Sequence, residues 1–231
     1  METVETKIKR LLKTPGIFNF ARQNKERYDD TLREVRRIVD HPPQRSLKPV
    51  ADICSALANR QVSFDEAIDA TAHYQGYLRM AADEVIPALD NYLTNNQFEV
   101  APELAEDRHK YPYARDLGGA ARAVPITPTF VTIEKGMLMP NYLLCWANVG
   151  FNWHQARLIC SILSDGILTL EDYLGSNGRI IFLRRGRWEG IREVETWMIS
   201  DYADMSRREI EEQFQRYNRA VAQVLDELQS S

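Results

Sequence analysis

The chain has 231 residues, of which 44% are hydrophobic and 27% are charged, and its formal net charge is −4. These proportions are typical of a globular protein that forms one large domain or one domain with helical extensions. The net negative charge excludes a general attraction of the whole protein to nucleic acid or anionic lipid, although a local basic patch is still allowed.

Three features of the sequence bear on the cellular compartment. Residues 1–13 are charged from the second position onward and contain no apolar segment, so we expect no secretory signal. The three cysteines, Cys54, Cys145 and Cys160, lie in apolar surroundings, which is typical of buried thiols in a reducing compartment. Residues 136–164 are poor in charge, but proline, asparagine and glycine interrupt them too often for a membrane span. We therefore expect a soluble, cytoplasmic protein.

Apolar residues recur three and four positions apart through most of residues 1–95, which predicts a helical N-terminal region. Proline ends the pattern twice, and Ser63 with Glu66 forms a capping box that restarts it. Pro87 is expected to kink the helix that follows. The predicted helices are 5–13, 17–39, 47–58 and a long helix from the capping box to about residue 92.

Residues 96–128 are predicted to be an irregular connection, because four prolines and the pair Gly118-Gly119 interrupt any regular pattern. This connection is the expected boundary between the helical region, 1–95, and an α+β core with a C-terminal helix, 129–231. The alternative is that the two parts form one continuous domain.

Residues 129–231 are predicted to form a β-β-α-β-β core and a C-terminal amphipathic helix. The β-branched and aromatic stretches 130–133, 137–146, 179–183 and 191–197 are typical of strands. Asn152 and Gln155 form a capping box for the core helix, whose apolar positions, Trp153 among them, predict burial on more than one side. The predicted fold class is α+β, with an antiparallel or mixed sheet and a helix packed on one face.

The C-terminal helix has the clearest helical pattern in the chain. Ser206 and Glu209 form its capping box, and apolar residues then recur at a heptad-like spacing. This seam either packs on the protein's own domain or binds a partner or a second copy. The seam residues are Ile210, Phe214, Tyr217, Val221, Val224 or Leu225, and Leu228.

The most distinctive surface feature is a stretch of arginines at a predicted hairpin, with a tryptophan near its tip. Arginine binds phosphates through paired hydrogen bonds, and an exposed indole can stack on a nucleic-acid base. The stretch therefore indicates a contact with nucleic acid, a contact with an acidic protein, or a solvated turn whose arginines pair with nearby acids. The candidate binding residues are Arg179, Arg184, Arg185, Arg187, Trp188 and Arg192, with Glu189 as the one acid among them.

No metal, cofactor or catalytic set is predicted. Cys145, His154 and Cys160 match no zinc spacing, and no phosphate-binding loop or nucleophile motif occurs. Glu193 and Glu195 share one face of a predicted strand. Together with Glu134 from another strand they could hold Mg²⁺ for phosphodiester cleavage. The same alternation is typical of any half-solvated strand, so their part in an active site stays open.

The sequence favours a non-catalytic intracellular interaction or assembly subunit that binds a protein partner. Its surface would be the C-terminal seam, the N-terminal helices or the tip at 184–188. The alternative is a nucleic-acid-binding or nucleic-acid-processing protein that uses the same arginine-rich tip. Only nucleic-acid binding should weaken steeply with salt, because phosphate contacts release counterions. An enzyme acting on a small substrate is a third class, since residues assembled from distant positions leave no local pattern.

Overall fold

The computed structural model describes residues 2–41, 46–101, 109–113, 122–148, 150–187 and 190–230. These residues form an α+β fold with one mixed five-stranded sheet and a separate two-stranded sheet, which confirms the predicted fold class. The helices are α1 (Val4–Leu12), α2 (Ile17–Gln23), α3 (Tyr28–Asp40), α4 (Lys48–Ala58), α5 (Phe64–Thr71), α6 (Gly76–Asn96), α7 (Trp153–Gly166) and α8 (Arg207–Gln229). The strands are β1 (Glu99–Val100), β2 (Lys110–Tyr113), β3 (Arg122–Pro125), β4 (Phe130–Glu134), β5 (Met137–Leu144), β6 (Arg179–Arg185) and β7 (Arg192–Met198).

The large sheet has the strand order β1-β4-β5-β6-β7. β5 and β6 are parallel, and α7 lies in the connection between them, as parallel neighbours require. The other neighbours are antiparallel. The four strands and the helix predicted for the core are therefore present, and β1 adds a short fifth strand at one edge.

Helices cover both faces of this sheet, whereas the sequence predicted a helix on one face. Tyr142, Ile180 and Phe182 point to the face that packs on α7, which we call the α7 face. Ile181 and Leu183 point to the opposite face, which packs on α4 and α6 and which we call the α6 face. The physical reason is visible in β6, whose consecutive apolar residues are typical of a strand buried on both sides.

Two of the predicted helices are each divided in two. The helix expected over 17–39 is broken between α2 and α3, where the Asn24 side chain donates a hydrogen bond to the backbone C=O of Gln213 in α8. The long helix expected after Ser63 is broken between α5 and α6, where Gly76 has a φ of 53° that favours glycine. α6 then continues through Pro87.

The predicted irregular connection contains three short strands within its described residues. β1 pairs with β4 in the large sheet, and β2 and β3 form a separate antiparallel hairpin. Both hydrophobic clusters combine side chains from the first 95 residues with side chains from residue 129 onward. Phe20 packs with Phe214 in one cluster, and Val85 belongs with Leu183 to the other.

The C-terminal helix α8 packs on the protein itself. Its seam residues Ile210, Phe214, Tyr217, Val221 and Val224 are buried, and α8 contacts α3, α1 and α7. The seam that the sequence offered to a partner is therefore occupied by the protein's own helices. Neither α8 nor any other helix in the described residues has the length and apolar character needed to cross a membrane.

Replacing Phe214 by alanine should lower the free energy of unfolding by about 3–5 kcal/mol, as is typical of large-to-small changes at buried aromatic sites. Phe214 is 2% exposed, and its ring lies 4.6 Å from that of Phe20. Urea unfolding followed by circular dichroism measures the change. Gln215→Ala on the exposed side of α8 is the control, with an expected effect within about 0.5 kcal/mol. Unchanged stability together with a changed oligomeric state would show instead that Phe214 packs between subunits.

Candidate functional site

The first predicted binding residue, Arg179, is part of a polar network on the α6 face. Its Nη1 and Nη2 donate to the two carboxylate oxygens of Glu134 at 2.9 and 3.0 Å, and Nη1 also lies 3.3 Å from Asn141 Oδ1. Burial alone would raise the pKa of Glu134, but the hydrogen bonds from Arg179 and Thr132, with the charge of Arg179, lower it below its ordinary value. Because the Arg179 side chain is only 12% exposed, it stabilises the fold and is not free for a ligand.

Arg192 forms a buried ion pair with Glu84 of α6. Arg192 Nε donates to Glu84 Oε2 at 2.8 Å, and Arg192 Nη1 donates to the backbone C=O of Leu183 at 3.1 Å. The two paired side chains are 2% and 6% exposed. Arg185, which lies opposite Arg192 in the sheet, approaches the other oxygen of Glu84 at 3.8 Å. The buried carboxylate therefore compensates Arg192 and fixes β7 to α6, and it also attracts the half-exposed Arg185.

Arg184 lies on the α7 face between the two glutamates that the sequence singled out. Its Nη1 is 2.7 Å from Glu195 Oε2, and its Nη2 is 3.9 Å from Glu193 Oε2. Glu195 also accepts a hydrogen bond from the Trp197 indole at 2.9 Å. Glu193 and Glu195 are thus partners of Arg184 across the β6–β7 hairpin.

The arginine stretch therefore carries little uncompensated charge away from its tip. Arg187 is exposed, and within the described residues its side chain has no ion-pair partner. Trp188, the predicted stacking residue, lies outside the described residues. Each of the other four arginines contacts at least one glutamate. The pairs are Arg179 with Glu134, Arg184 with Glu193 and Glu195, and both Arg185 and Arg192 with Glu84.

The three glutamates considered for Mg²⁺ are not brought together. Glu134 is on β4, whereas Glu193 and Glu195 are on β7, and two strands lie between them. Neighbouring strands are about 4.8 Å apart, so this separation is far beyond the reach of one ion. Within the described residues, no three histidine, cysteine, aspartate or glutamate side chains are grouped to hold a metal.

The cysteines are buried and poorly suited to nucleophilic chemistry. A hydrogen bond with Cys145, burial and the charge of Cys145 raise the pKa of Cys54. Burial raises the pKa of Cys160 to about 12. A reactive thiol needs access to solvent, and all three are buried, so these thiols act as apolar core groups.

A cavity of about 650 Å³ lies between α1, α2 and α3, and its lining includes Arg10, Lys13, Arg22 and Arg37. Its arginines are engaged by the protein. Arg10 pairs with Glu2 and donates to the backbone C=O of Val39. Arg37 pairs with Glu34, and Arg22 lies over an indole ring. The cavity therefore offers an anionic ligand few uncommitted groups.

Five aromatic side chains lie next to one another on the α7 face, beside the β6–β7 hairpin. They come from the connection before α7, the first residue of α7, β7 and the turn that follows β7. They include three of the chain's four tryptophans. We call this set the aromatic surface; it consists of Trp146, Phe151, Trp153, Trp197 and Tyr202.

Ring contacts hold the aromatic surface together. The Trp153 and Tyr202 ring centroids are 5.3 Å apart, and those of Tyr202 and Trp197 are 5.0 Å apart. Trp197 packs edge-on against Phe182 of β6 at 4.5 Å, and Phe151 lies 6.3 Å from Trp197. Trp153 is nevertheless 62% exposed. A large apolar ring is thus presented to solvent on a rigid base.

The capping box of α7 fixes the position of Trp153. Asn152 Oδ1 accepts from the backbone N–H of Gln155 at 2.9 Å, and Gln155 Oε1 accepts from the backbone N–H of Asn152 at 3.1 Å. The Gln155 amide also donates to the backbone C=O of Ala21 at 3.1 Å, which joins the start of α7 to α2. Trp153, the first residue after the cap, is therefore held at the end of the helix and away from its buried middle.

Sequence reasoning missed the aromatic surface. It grouped Trp153 with the buried positions of the core helix, and the structure shows that this was wrong. The sequence position of Trp153 could have indicated its exposure, because a residue directly after the N-cap lies at the end of the helix, where fewer neighbours cover it. Trp197 and Tyr202 reach the same place only through the strand pairing of β7, which leaves no local pattern.

Replacing Glu84 by glutamine should lower the free energy of unfolding by about 3–5 kcal/mol, because it leaves the buried charge of Arg192 uncompensated. The matched control is Asp83→Asn, which removes an exposed pair with Arg79 at 2.9 Å and should change stability by less than about 1 kcal/mol. Denaturant unfolding measures both variants. Equal, small effects at the two neighbouring positions would contradict a structural role for the Glu84–Arg192 pair.

Comparison of the chain with protein-family models, with curated proteins and with solved structures gave no match. The described residues combine an arginine stretch largely compensated by glutamates with the adjacent aromatic surface, of which Trp153 is exposed and the other four rings are partly buried.

Proposed function

We propose that this protein is a non-catalytic binding subunit that holds a protein partner against the aromatic surface. The observation that carries this proposal is the Trp153 side chain, which is 62% exposed although its ring is fixed against Tyr202. Tryptophan, tyrosine and arginine are the residues that most often dominate the binding energy of protein interfaces. Contiguous apolar patches mark interaction sites more often than single exposed apolar residues do, and Trp153 is contiguous with the partly buried rings of Tyr202 and Trp197.

The aromatic surface is suited to binding because its members have little freedom to lose. Trp153, Tyr202 and Trp197 are already in contact, so a partner would not have to order them. Each 100 Å² of apolar surface removed from water contributes about 2.5 kcal/mol. Arg184 and Glu193 at the margin can add polar contacts around an apolar centre, the usual arrangement of an interface.

The geometry supports protein binding more than nucleic-acid binding. Phosphate contacts depend on cationic groups that are not already compensated, and four of the five candidate arginines have glutamate partners. Aromatic rings alone can also stack on bases, so the two functions need a direct comparison.

Trp153→Ala should weaken binders selected from a displayed library of small domains on the wild-type protein by about tenfold or more, because a central tryptophan often contributes about 2 kcal/mol. Calorimetry on purified binders measures the loss. The matched control is Leu174→Ala, since Leu174 is 74% exposed but lies in the connection between α7 and β6. The affinity of the same binders for Leu174→Ala should stay at the wild-type value.

Two results would contradict this function. One is a set of mutually competing binders that keep full affinity for Trp153→Ala. The other is salt-sensitive binding of labelled DNA or RNA that disappears when Arg184, Arg185 and Arg187 are replaced together by alanine, which would favour the nucleic-acid alternative.

A further inference from the structure

The outer edge of β7 is unpaired in the described part of the chain. Among the described strands, β7 is the last of the sheet and pairs only with β6. The backbone N–H of Gly186 donates to the C=O of Ile191 at 2.8 Å. Because bonded and non-bonded residue pairs alternate along an antiparallel pair of strands, the backbone groups of residues 193, 195 and 197 bond to β6. Val194 and Thr196 therefore direct their backbone N–H and C=O groups away from the sheet.

This edge lacks several of the features that usually prevent strand addition, and the one that it keeps is the charge of Glu193 and Glu195. Edge strands are commonly very short, or carry proline, lysine or a bulge. β1 at the other edge has two residues, whereas β7 has seven, in a register with β6 that contains no bulge. β7 contains neither proline nor lysine, and its one cation, Arg192, is paired with Glu84 in the interior.

The two faces beside the edge differ in chemistry. On the α7 face lie Trp197 and Glu193, whose side chain is 46% exposed. The Glu193 carboxylate lies 3.9 Å from Arg184 and accepts a hydrogen bond from the backbone N–H of Arg187 at 3.3 Å. On the α6 face lies Val194, which is 36% exposed. α6 adds Met80, which is 50% exposed and lines the same surface pocket as Gly190, just before β7. A strand added at this edge would meet a carboxylate and an indole on one side and aliphatic side chains on the other.

We propose that an extended segment of a protein partner, with alternating basic and apolar side chains, adds to the sheet as a strand beside β7. This mode of recognition rests on the proposed function and specifies it. Backbone bonds to Val194 and Thr196 supply the pairing, and the alternation of a strand sends successive side chains to opposite faces. The basic side chains lie near Glu193 and over Trp197, where charge and cation–π attraction favour them. The apolar side chains lie over Val194 and Met80.

Charge excludes a second copy of β7 as the favoured occupant. Full antiparallel overlap of two copies places Glu195 opposite Glu195, and a two-residue shift towards the hairpin turn places Glu193 opposite Glu195. Like charges directly opposite one another are destabilising. A shift the other way requires the backbone N–H of Met198, which already donates to Asp201 at 3.1 Å. The same glutamates favour a basic strand from another protein.

The test uses a short capped peptide that alternates arginine and valine, a version with glutamate in place of arginine, and a version N-methylated at alternate backbone positions. Calorimetry should show that only the unmethylated arginine peptide binds the full-length protein. Val194→Pro removes an outward N–H that β6 does not use, so affinity should fall about tenfold or more while stability is retained. Val194→Ala keeps the backbone donor and is the matched control. Glu193→Arg should reverse the preference between the two charged peptides.

The outcomes separate this inference from the function on which it rests. If binding by the arginine peptide or by library-selected partners needs Trp153 but is indifferent to Val194→Pro and to N-methylation, strand addition is overturned and the proposed function stands. If selected partners are indifferent to Trp153→Ala as well, both fail. If Val194→Pro proves unstable, the N-methylated peptide alone decides, because it tests the same backbone bonds on the unaltered protein.

Discussion

The buried ion pair between Glu84 and Arg192 determines how the edge of the sheet is built. It joins the middle of α6 to the first residue of β7, with 2.8 Å between Arg192 Nε and Glu84 Oε2. Because both charges are removed from water, each depends on the other for compensation. The last strand of the sheet is thereby fixed to the helical layer beside it.

This pair also shows that arginines of the stretch serve the fold. In the sequence, five arginines within fourteen residues resemble a phosphate-binding patch. In the fold, Arg192 joins α6 to the sheet through Glu84. Arg179 pairs with Glu134, and Arg184 lies between the two glutamates of β7. What remains at the surface beside the hairpin is the aromatic surface, held in place by the capping box of α7 and by β7 itself. The site is therefore a product of packing, and its polar margin consists of Glu193 and Glu195 with Arg184 between them.

Local interactions explain which parts of the fold could be predicted. The capping boxes at Ser63, Asn152 and Ser206 each start a helix, because their bonds join residues three apart. The four core strands were visible as β-branched and aromatic stretches. The break between α2 and α3 was not visible, since it is stabilised by a bond from Asn24 to a carbonyl 189 residues away. The partner of Arg192 was hidden for the same reason, because Glu84 lies 108 residues before it in the chain.

The most direct test of this account is residue-resolved hydrogen exchange of the free protein along β7. The amides of Glu193, Glu195 and Trp197 bond to β6 and should be strongly protected. The amides of Val194 and Thr196 point away from the sheet and should exchange nearly as fast as those of an unstructured peptide. Such alternation would show that β7 presents an open edge next to the aromatic surface. Equal protection at all five positions would show that another part of the chain covers the edge, and the proposed docking of a partner strand would then be wrong.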